Sequence, residues 1–485
     1  MVDKPEKLSP GRKAAFACGD VFGGGAFNIL NFLYPAYAAL TLGLGASLTG
    51  IIVMLSKIWD AVTDPFMGLI SDGTRSRMGK RRVYILAGAP LVLVSMVLLF
   101  FPWNISSTAL RFIAALLSYM FFATVETMVM IPYYSLSSEI SSDYTERAKA
   151  NTLRIGFSVA SSIVCVAVPN LIVNAVGQPS GYIVMSVAFG LLFALTLTVT
   201  ALWAKEEVVS PPVRAKFSFK EFVKPLRCKS FRGYMGMQVC AGTTMAVMSG
   251  MFFFYIMYVV KSGNTLAASG VGDGLGTMAA GVMFAMQIVA LPLYLKIIRA
   301  KSKASAYRVG AAGWIAVAFL LLFVPSDLPD SLNWIIFVMA ALIGLGVSGA
   351  VLAPHTMIGD VNDAFELQFG ARSEGAVSGL LNLLNKTGQA LGVGIALNLL
   401  ELVGGFVNPA PGEYIAAQPQ SAQTMLTLFM ALTPLVIMTI GILISRRYKI
   451  TEQKQREIAD FNARFAAAEN KAALEEERQR LLDTL

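Results

Sequence analysis

Residues 45–82 read GASLTGIIVMLSKIWDAVTDPFMGLISDGTRSRMGKRR, and this stretch decides the fold. It begins as an apolar run of the length a bilayer-spanning helix needs, about 20 residues, and closes on a loop dense in arginine and lysine. The run itself carries Lys57, Asp60 and Asp64, three and then four residues apart, so that the three share one helix face. The whole chain identifies its solvent as lipid. Its 485 residues are 55% hydrophobic and 14% charged, with a mean hydropathy of +0.63, whereas soluble domains carry about 25% charged residues. The charges bunch between long apolar runs, and a soluble enzyme is excluded.

Working outward, the same alternation predicts an all-α membrane protein of twelve spans, at 14–43, 46–70, 83–102, 109–136, 153–176, 182–204, 233–261, 271–297, 306–325, 332–358, 375–404 and 423–446. Lysine and arginine gather in the N-terminal tail, the even-numbered loops and the C-terminal tail. Arg111 and Lys261 are the basic residues of the odd-numbered loops. Basic loops stay on the cytoplasmic side, so both termini are expected there, in the cell inner membrane. The net charge of +9 is read the same way, with no nucleic-acid partner. The segment MVDKPEKLSPGRK has no apolar signal region, which leaves targeting to span 1. Cys18, Cys165, Cys228 and Cys240 lack paired spacing, and the single histidine, His355 beside Pro354, reads as a packed helix residue rather than a proton relay.

The longest polar stretch, 205–232, follows six spans. It divides the chain into a half at 1–204, a linker, a half at 233–446 and a helical tail at 447–485, the organisation of the major facilitator architecture. Phe217, Phe219 and Phe222 among lysines predict a short linker helix on the inner leaflet. Ile458, Phe461 and Phe465 give the tail one apolar face.

A charge inside a span is costly and tends to face a cavity or a partner. Asp60 and Asp64 are suited to supply hard oxygen ligands to a small cation, Na+ if the protein is sodium-coupled, or to share a proton. A neutralised Lys57–Asp60 pair is the alternative, and it leaves Asp64 unexplained. In span 11 Lys386 sits among Asn382, Asn385 and Gln389 and needs a counter-charge, for which Asp60 and Asp64 are candidates. Cation or proton binding would then loosen their hold on Lys386; a static bridge between the halves is the other reading. Asp20 in span 1 is either a cavity residue or a helix cap. Glu126 and the adjacent Thr127 in span 4 are candidates to line a cavity.

These residues carry a resemblance. KIWDAVTDPFMGLISDGTRSRMGKRR (57–82), IPYYSLSSEISSDYTERAKANTLR (131–154) and GDVNDAFELQFGARSEGAVSGLLNLLNKTGQALG (359–392) resemble, in order, the signatures of the glycoside–pentoside–hexuronide:cation symporters, the melibiose permease family. The resemblance runs to the tail and implies the major facilitator fold. It implies a cation site of Asp60, Asp64 and Thr127 with Lys386 beside it, and sugar-contacting positions at Asp20 and Arg154. It also implies a cytoplasmic gate of Arg147, Asp363, Glu366 and Arg372, with Asp72 and the basic loop after it as a latch. The sequence departs from the family at the solute pocket. Met130 replaces an acid, with Glu126 one turn earlier, and Tyr134 and Val351 stand where the melibiose branch has tryptophan. The family also includes sodium-dependent lysophospholipid transporters, so an amphipathic solute is the second expectation after a sugar or glycoside. Na+ or H+ is expected as coupling ion with no other cofactor, small solutes and membrane lipids as partners, and a monomer as the working unit. No HExxH, GxSxG or phosphate-binding loop argues for an enzyme.

Overall fold

The computed structural model describes residues 8–141, 143–206, 219–262, 274–370, 374–409, 415–467 and 474–484, and among these it contains helices and no strand. Ten helices are long and apolar enough to cross a membrane: Gly45–Asp72, Arg82–Leu99, Thr108–Ser137, Lys149–Val176, Ser180–Trp203, Lys229–Val260, Leu275–Ala300, Lys303–Phe323, Asp330–Phe369 and Gln420–Ser445. Residues 10–41 and the helix Glu374–Leu402 complete the twelve expected spans. Those two are the most polar; residues 10–41 pack chiefly against span 5, and Glu374–Leu402 packs against spans 2 and 7 while leaving Leu391, Ile395 and Leu402 exposed.

The helices differ from the expected spans mainly at their ends. The helix of span 4 runs on to Glu139, and that of span 5 starts at Tyr144, because their polar ends continue past the apolar run. Span 10 breaks after His355, and a second helix, Ile358–Phe369, carries on beyond it to a left-handed Gly370. Span 1 is interrupted by wide turns at Ile29–Leu33 and Tyr37–Thr41 on either side of Pro35. Proline lacks the N–H and its ring crowds the carbonyl one turn back, and the helix answers by widening. Just before and within the first wide turn, Asn28 and Asn31 donate their amides to the carbonyls of Gly24 and Phe27 at 2.8 and 2.6 Å.

Small residues set the close contacts, as they do where lipid offers no hydrophobic drive between helices. A Cβ at Gly310 of span 9 would stand 2.5 Å from the Ala350 nitrogen and 2.6 Å from the Gly346 oxygen of span 10. Gly50 of span 2 meets Gly394 of span 11 in the same manner, with 3.0 Å between a built Cβ and the carbonyl oxygen.

Spans 2 and 11 join the first six helices to the last six, and part of their bonding lies at the ends remote from the termini. The first amides of the helix Gly45–Asp72 have no partner of their own. Ser47 N–H donates to Glu401 Oε2 at 2.7 Å and Ala46 N–H to Asn408 Oδ1 at 3.1 Å, so the second half caps a helix of the first. Asn170 of span 5 donates to Thr277 of span 8 at 3.0 Å, and Phe32 of span 1 packs edge-on against Phe252 and Phe284. On the termini side Tyr134, Asn382 and His355 are exposed although Tyr134 and His355 contact neighbouring spans, as side chains lining an opening do. Among the described residues, contacts between the halves close the remote ends, and side chains exposed between spans lie toward the termini.

Near the remote span ends, Lys261 is buried against Asp330 at 2.5 Å and the Leu328 carbonyl, and Arg111, in the first turn of the span 4 helix, donates to the Leu42 carbonyl. Among the linker phenylalanines, Phe219 is exposed, Phe222 packs near Gly379 of span 11, and Phe217 lies outside the described residues.

Gly346→Val would drive a branched side chain into the backbone of Trp314. Overpacking of this kind costs about 1–3 kcal/mol, so the purified variant should unfold at a lower temperature than the parent in a detergent melt, while Gly281→Ala, whose added Cβ meets nothing within 4 Å, should not.

Candidate functional site

One helical turn separates Asp60 from Asp64 on span 2, and both side chains are buried. The close approach at Gly50 and Gly394 brings span 11 alongside, and Lys386 places its Nζ 2.6 Å from Asp60 Oδ2 and 2.6 Å from Asp64 Oδ2. From span 4, Thr127 Oγ1 lies 2.6 Å from Asp60 Oδ1 and 3.0 Å from Asp64 Oδ1. A hydroxyl has one proton to give, so it serves one carboxylate at a time. The shorter contact marks Asp60 as the acceptor. Two carboxylates and one ammonium leave a net negative charge that a monovalent cation or a proton would cancel. Among the described residues no group of three or more His, Cys, Asp and Glu side chains converges as a transition-metal site would.

Lys57 does not pair with Asp60. It turns the other way, donating to Asn31 Oδ1 at 2.7 Å and approaching Gln389 Oε1 at 3.4 Å, with its Nζ 5.8 Å from the centre of the Phe27 ring. Both carboxylates of span 2 are thereby left to Lys386. Glu126, half-buried on span 4, stands within electrostatic range of Asp60, Lys386, Asp64 and Lys57. Asn382 is exposed one turn before Lys386.

A second cluster lies toward the termini. Asp20 is buried at the start of the helix Asp20–Asn28. Its Oδ2 is 3.9 Å from Arg154 Nε of span 5, and Ser158 hydrogen-bonds it as well. The Arg154 guanidinium stacks 5.4 Å from the centre of the Tyr134 ring. A Cβ at Gly23 would collide with the Met130 methyl and Asp20 Oδ1, with the Tyr134 hydroxyl 3.1 Å away, so span 1 forms one wall of this cluster. Gly19 rather than Asp20 holds the cap position of that helix, with no side-chain cap bond, and Asp20 faces a cationic partner across spans. Tyr134 is 45% exposed and within electrostatic range of Glu126 and Lys386, which makes the two clusters neighbours.

Charged residues gather at the termini side, and the Asp72 end of the expected latch is the best described of them. Asp72 pairs with Arg81, which also reaches Ser71 Oγ at 2.6 Å and Glu139 Oε1 at 3.0 Å; Lys80 joins Glu139 at 2.9 Å. Burial works against the Arg81 charge, but Glu139 and Asp72 outweigh it and hold its pKa above the usual value. Glu206 accepts from the backbone N–H groups of Lys80, Arg81 and Arg82 and so closes the start of span 3. Glu146, next to Arg147, is bonded by Lys13 and by Lys149 at 3.0 Å, and these two bonds draw its carboxyl down to about 2. Asp363 accepts from Gln455 of the tail at 2.9 Å. Glu366 lies on the same helix, Ile358–Phe369, and Arg372 lies outside the described residues. Glu139 and Glu206 are charged contacts that the sequence reading misses. Their signal is their place as the first acidic residues after spans 4 and 6, opposite a basic loop.

Truncating Lys386 to alanine strands two buried carboxylates, and breaking such a pair costs about 3–5 kcal/mol. The variant should melt well below the parent. Lys386→Met combined with Asp64→Asn should recover part of the loss, and a thermal double-mutant cycle measures the coupling.

Comparison with known proteins follows the same lines. The family model described as MFS/sugar transport protein matches residues 15–452. An uncharacterized symporter of Synechocystis is 27% identical, covering 93% of this chain and 96% of its own. A putative glycoside/cation symporter of Escherichia coli is 24% identical over 95% and 96%. The sodium-dependent lysophosphatidylcholine symporter 1 of Mus musculus is 25% identical over 94% and 88%. Among solved structures, a bacterial homologue of the human drug peptide transporters superposes with a TM-score of 0.62 at 14% identity, covering 90% of this chain and 97% of that one. The nucleoside transporter NupG superposes at 0.56 and 15%, over 91% and 99%.

Proposed function

The chain belongs to the MFS/sugar transport protein family, and from that premise we propose that it couples the downhill entry of Na+ or H+ to the uptake of a sugar- or glycoside-type solute. The observation that carries this reading is the sharing of one ammonium by two carboxylates of the opposite half, Lys386 with Asp60 and Asp64. A cation or proton arriving at that pair takes over the role of Lys386. The lysine of span 11 is then free to move relative to span 2, and these are the helices whose remote ends hold the halves together. Ion binding therefore acts on the seal through the same two helices, which suits alternating access.

The solute site of this reading is the neighbouring cluster of Asp20, Arg154 and Tyr134, bordered by Glu126 and, from span 11, Asn382. A carboxylate and a guanidinium bond hydroxyl groups, and an aromatic face accepts the apolar side of a sugar ring. Arg147, Asp363, Glu366 and Arg372, with the Asp72 latch, form the gate on the termini side. Both termini lie in the cytoplasm of a cell whose inner membrane carries the protein, with halves at 1–204 and 233–446, acting as a monomer.

A second reading is favoured by the Met130 methyl in that cluster, where an acid would suit a sugar, and by relatives named sodium-dependent lysophosphatidylcholine symporters. In it the coupling site is unchanged and the solute is a lysophospholipid or another amphipath.

Proteoliposome uptake with and without Na+, and across a pH gradient, tests both. Asp64→Asn should abolish cation-stimulated uptake and leave a folded, monodisperse protein; normal coupled uptake by that variant would sink the ion-site assignment. Competition by unlabelled glycosides supports the first solute class, and competition by lysophospholipids supports the second.

A further inference from the structure

The tail folds back onto the helix that ends span 10. Its first helix, Glu452–Ala467, buries Ile458 and Phe461 to 1% exposure each. Along the same face Gln455 donates its amide to Asp363 Oδ2 at 2.9 Å, and Asn462 donates to the Asp363 carbonyl at 2.9 Å. The second helix, Glu475–Asp483, brings Arg478 to the other end of the same element. Arg478 Nε donates to the Leu367 carbonyl at 2.8 Å and Nη2 to that of Gln368 at 2.9 Å. The last carbonyls of a helix lack internal partners and carry its negative end, so a guanidinium there both bonds and neutralises them. Two parallel bonds from Arg464 to Glu477, at 2.5 and 3.1 Å, and stacking of Arg478 on Phe465 at 5.5 Å tie the tail helices to each other. The apolar tail face, which the sequence left without an occupant, is therefore spent on the chain's own gate helix.

That helix, Ile358–Phe369, carries Asp363 and Glu366 and leads through 370–373 into span 11, which holds Lys386. We propose that the tail is a built-in brake on the termini-side gate: seated on Asp363 and the helix end, it stabilises the conformer open toward the termini, and it must let go of Asp363 before the gate can close. The polar contacts to Asp363 compete with gate partners from the other half, while the apolar contacts of Ile458 and Phe461 keep the tail at hand. This rests on the alternating-access reading above.

Spin labels at Ser106→Cys and Ser331→Cys, exposed on the face remote from the termini and one on each half, report the equilibrium by double electron–electron resonance on the full chain in nanodiscs. Losing two hydrogen bonds that favour one conformer shifts an equilibrium about tenfold. Gln455→Ala with Asn462→Ala should raise the long-distance population, open at the remote face, by that factor, and truncation after Ile450 should raise it at least as far. Gln455→Glu should do the same by repelling Asp363. If the parent shows two distances and these variants leave their ratio unchanged, while hydrogen exchange confirms that the tail has come loose, the brake is refuted. A single distance in the parent and every variant would instead count against alternating access itself, and so against the brake. Should truncation impair folding, the two side-chain variants carry the test.

Discussion

Two carboxylates on one face of a lipid-embedded helix cannot stay ionised without a counter-charge, and the rest of the structure answers to that constraint. Lys386 supplies the charge from the opposite half, equidistant from Asp60 and Asp64. Its helix must therefore lie close to span 2, and the glycines at 50 and 394 make that approach possible. Thr127 adds an oxygen to the same locus from span 4. A buried ion pair of this kind gains little net stability, because desolvation offsets much of the attraction. Under the proposed function its value lies in being replaceable, since a monovalent cation that reaches the carboxylates would alter what holds the two helices together.

The seal at the remote ends obeys similar logic. A helix start has unpaired N–H groups, and here side chains of the other half satisfy those of span 2. Such contacts are favourable but polar, so water could take their place, whereas Phe32 against Phe252 and Phe284 adds an apolar part to the seal. On the other side Arg81, Glu139 and Glu206 bond one another's segments within the first half, and Asp363 bonds the tail within the second.

The twelve-helix plan was legible because lipid imposes a length and a composition on every span. It showed least well in the two most polar helices, residues 10–41 and Glu374–Leu402, which fall short of the apolar standard. Those are also the helices that bring Asn31, Gln389 and Lys386 to the centre. Asp60, Asp64 and Lys386 stood out as charges where charge is costly. Lys57 stood out equally, yet periodicity gave no means of telling which of the two lysines the carboxylates would take. Lys57 turns instead to Asn31, which lies in the wide turn Ile29–Leu33 of span 1, a partner that spacing does not encode.

Sequence by itself determined the solvent, the number of spans and the short list of intramembrane charges, because each follows from the free energy of placing a residue in hydrocarbon. Tertiary structure decided the pairings: Lys386 rather than Lys57 on Asp60 and Asp64, Arg154 stacked on Tyr134 beside Asp20, and Gln455 on Asp363. Lys386 stands 322 residues from Asp64 along the chain, and Gln455 stands 92 from Asp363. Local periodicity carries no information about which distant helix face will be opposite. Burial selects which residues need a partner, and only packing selects the partner.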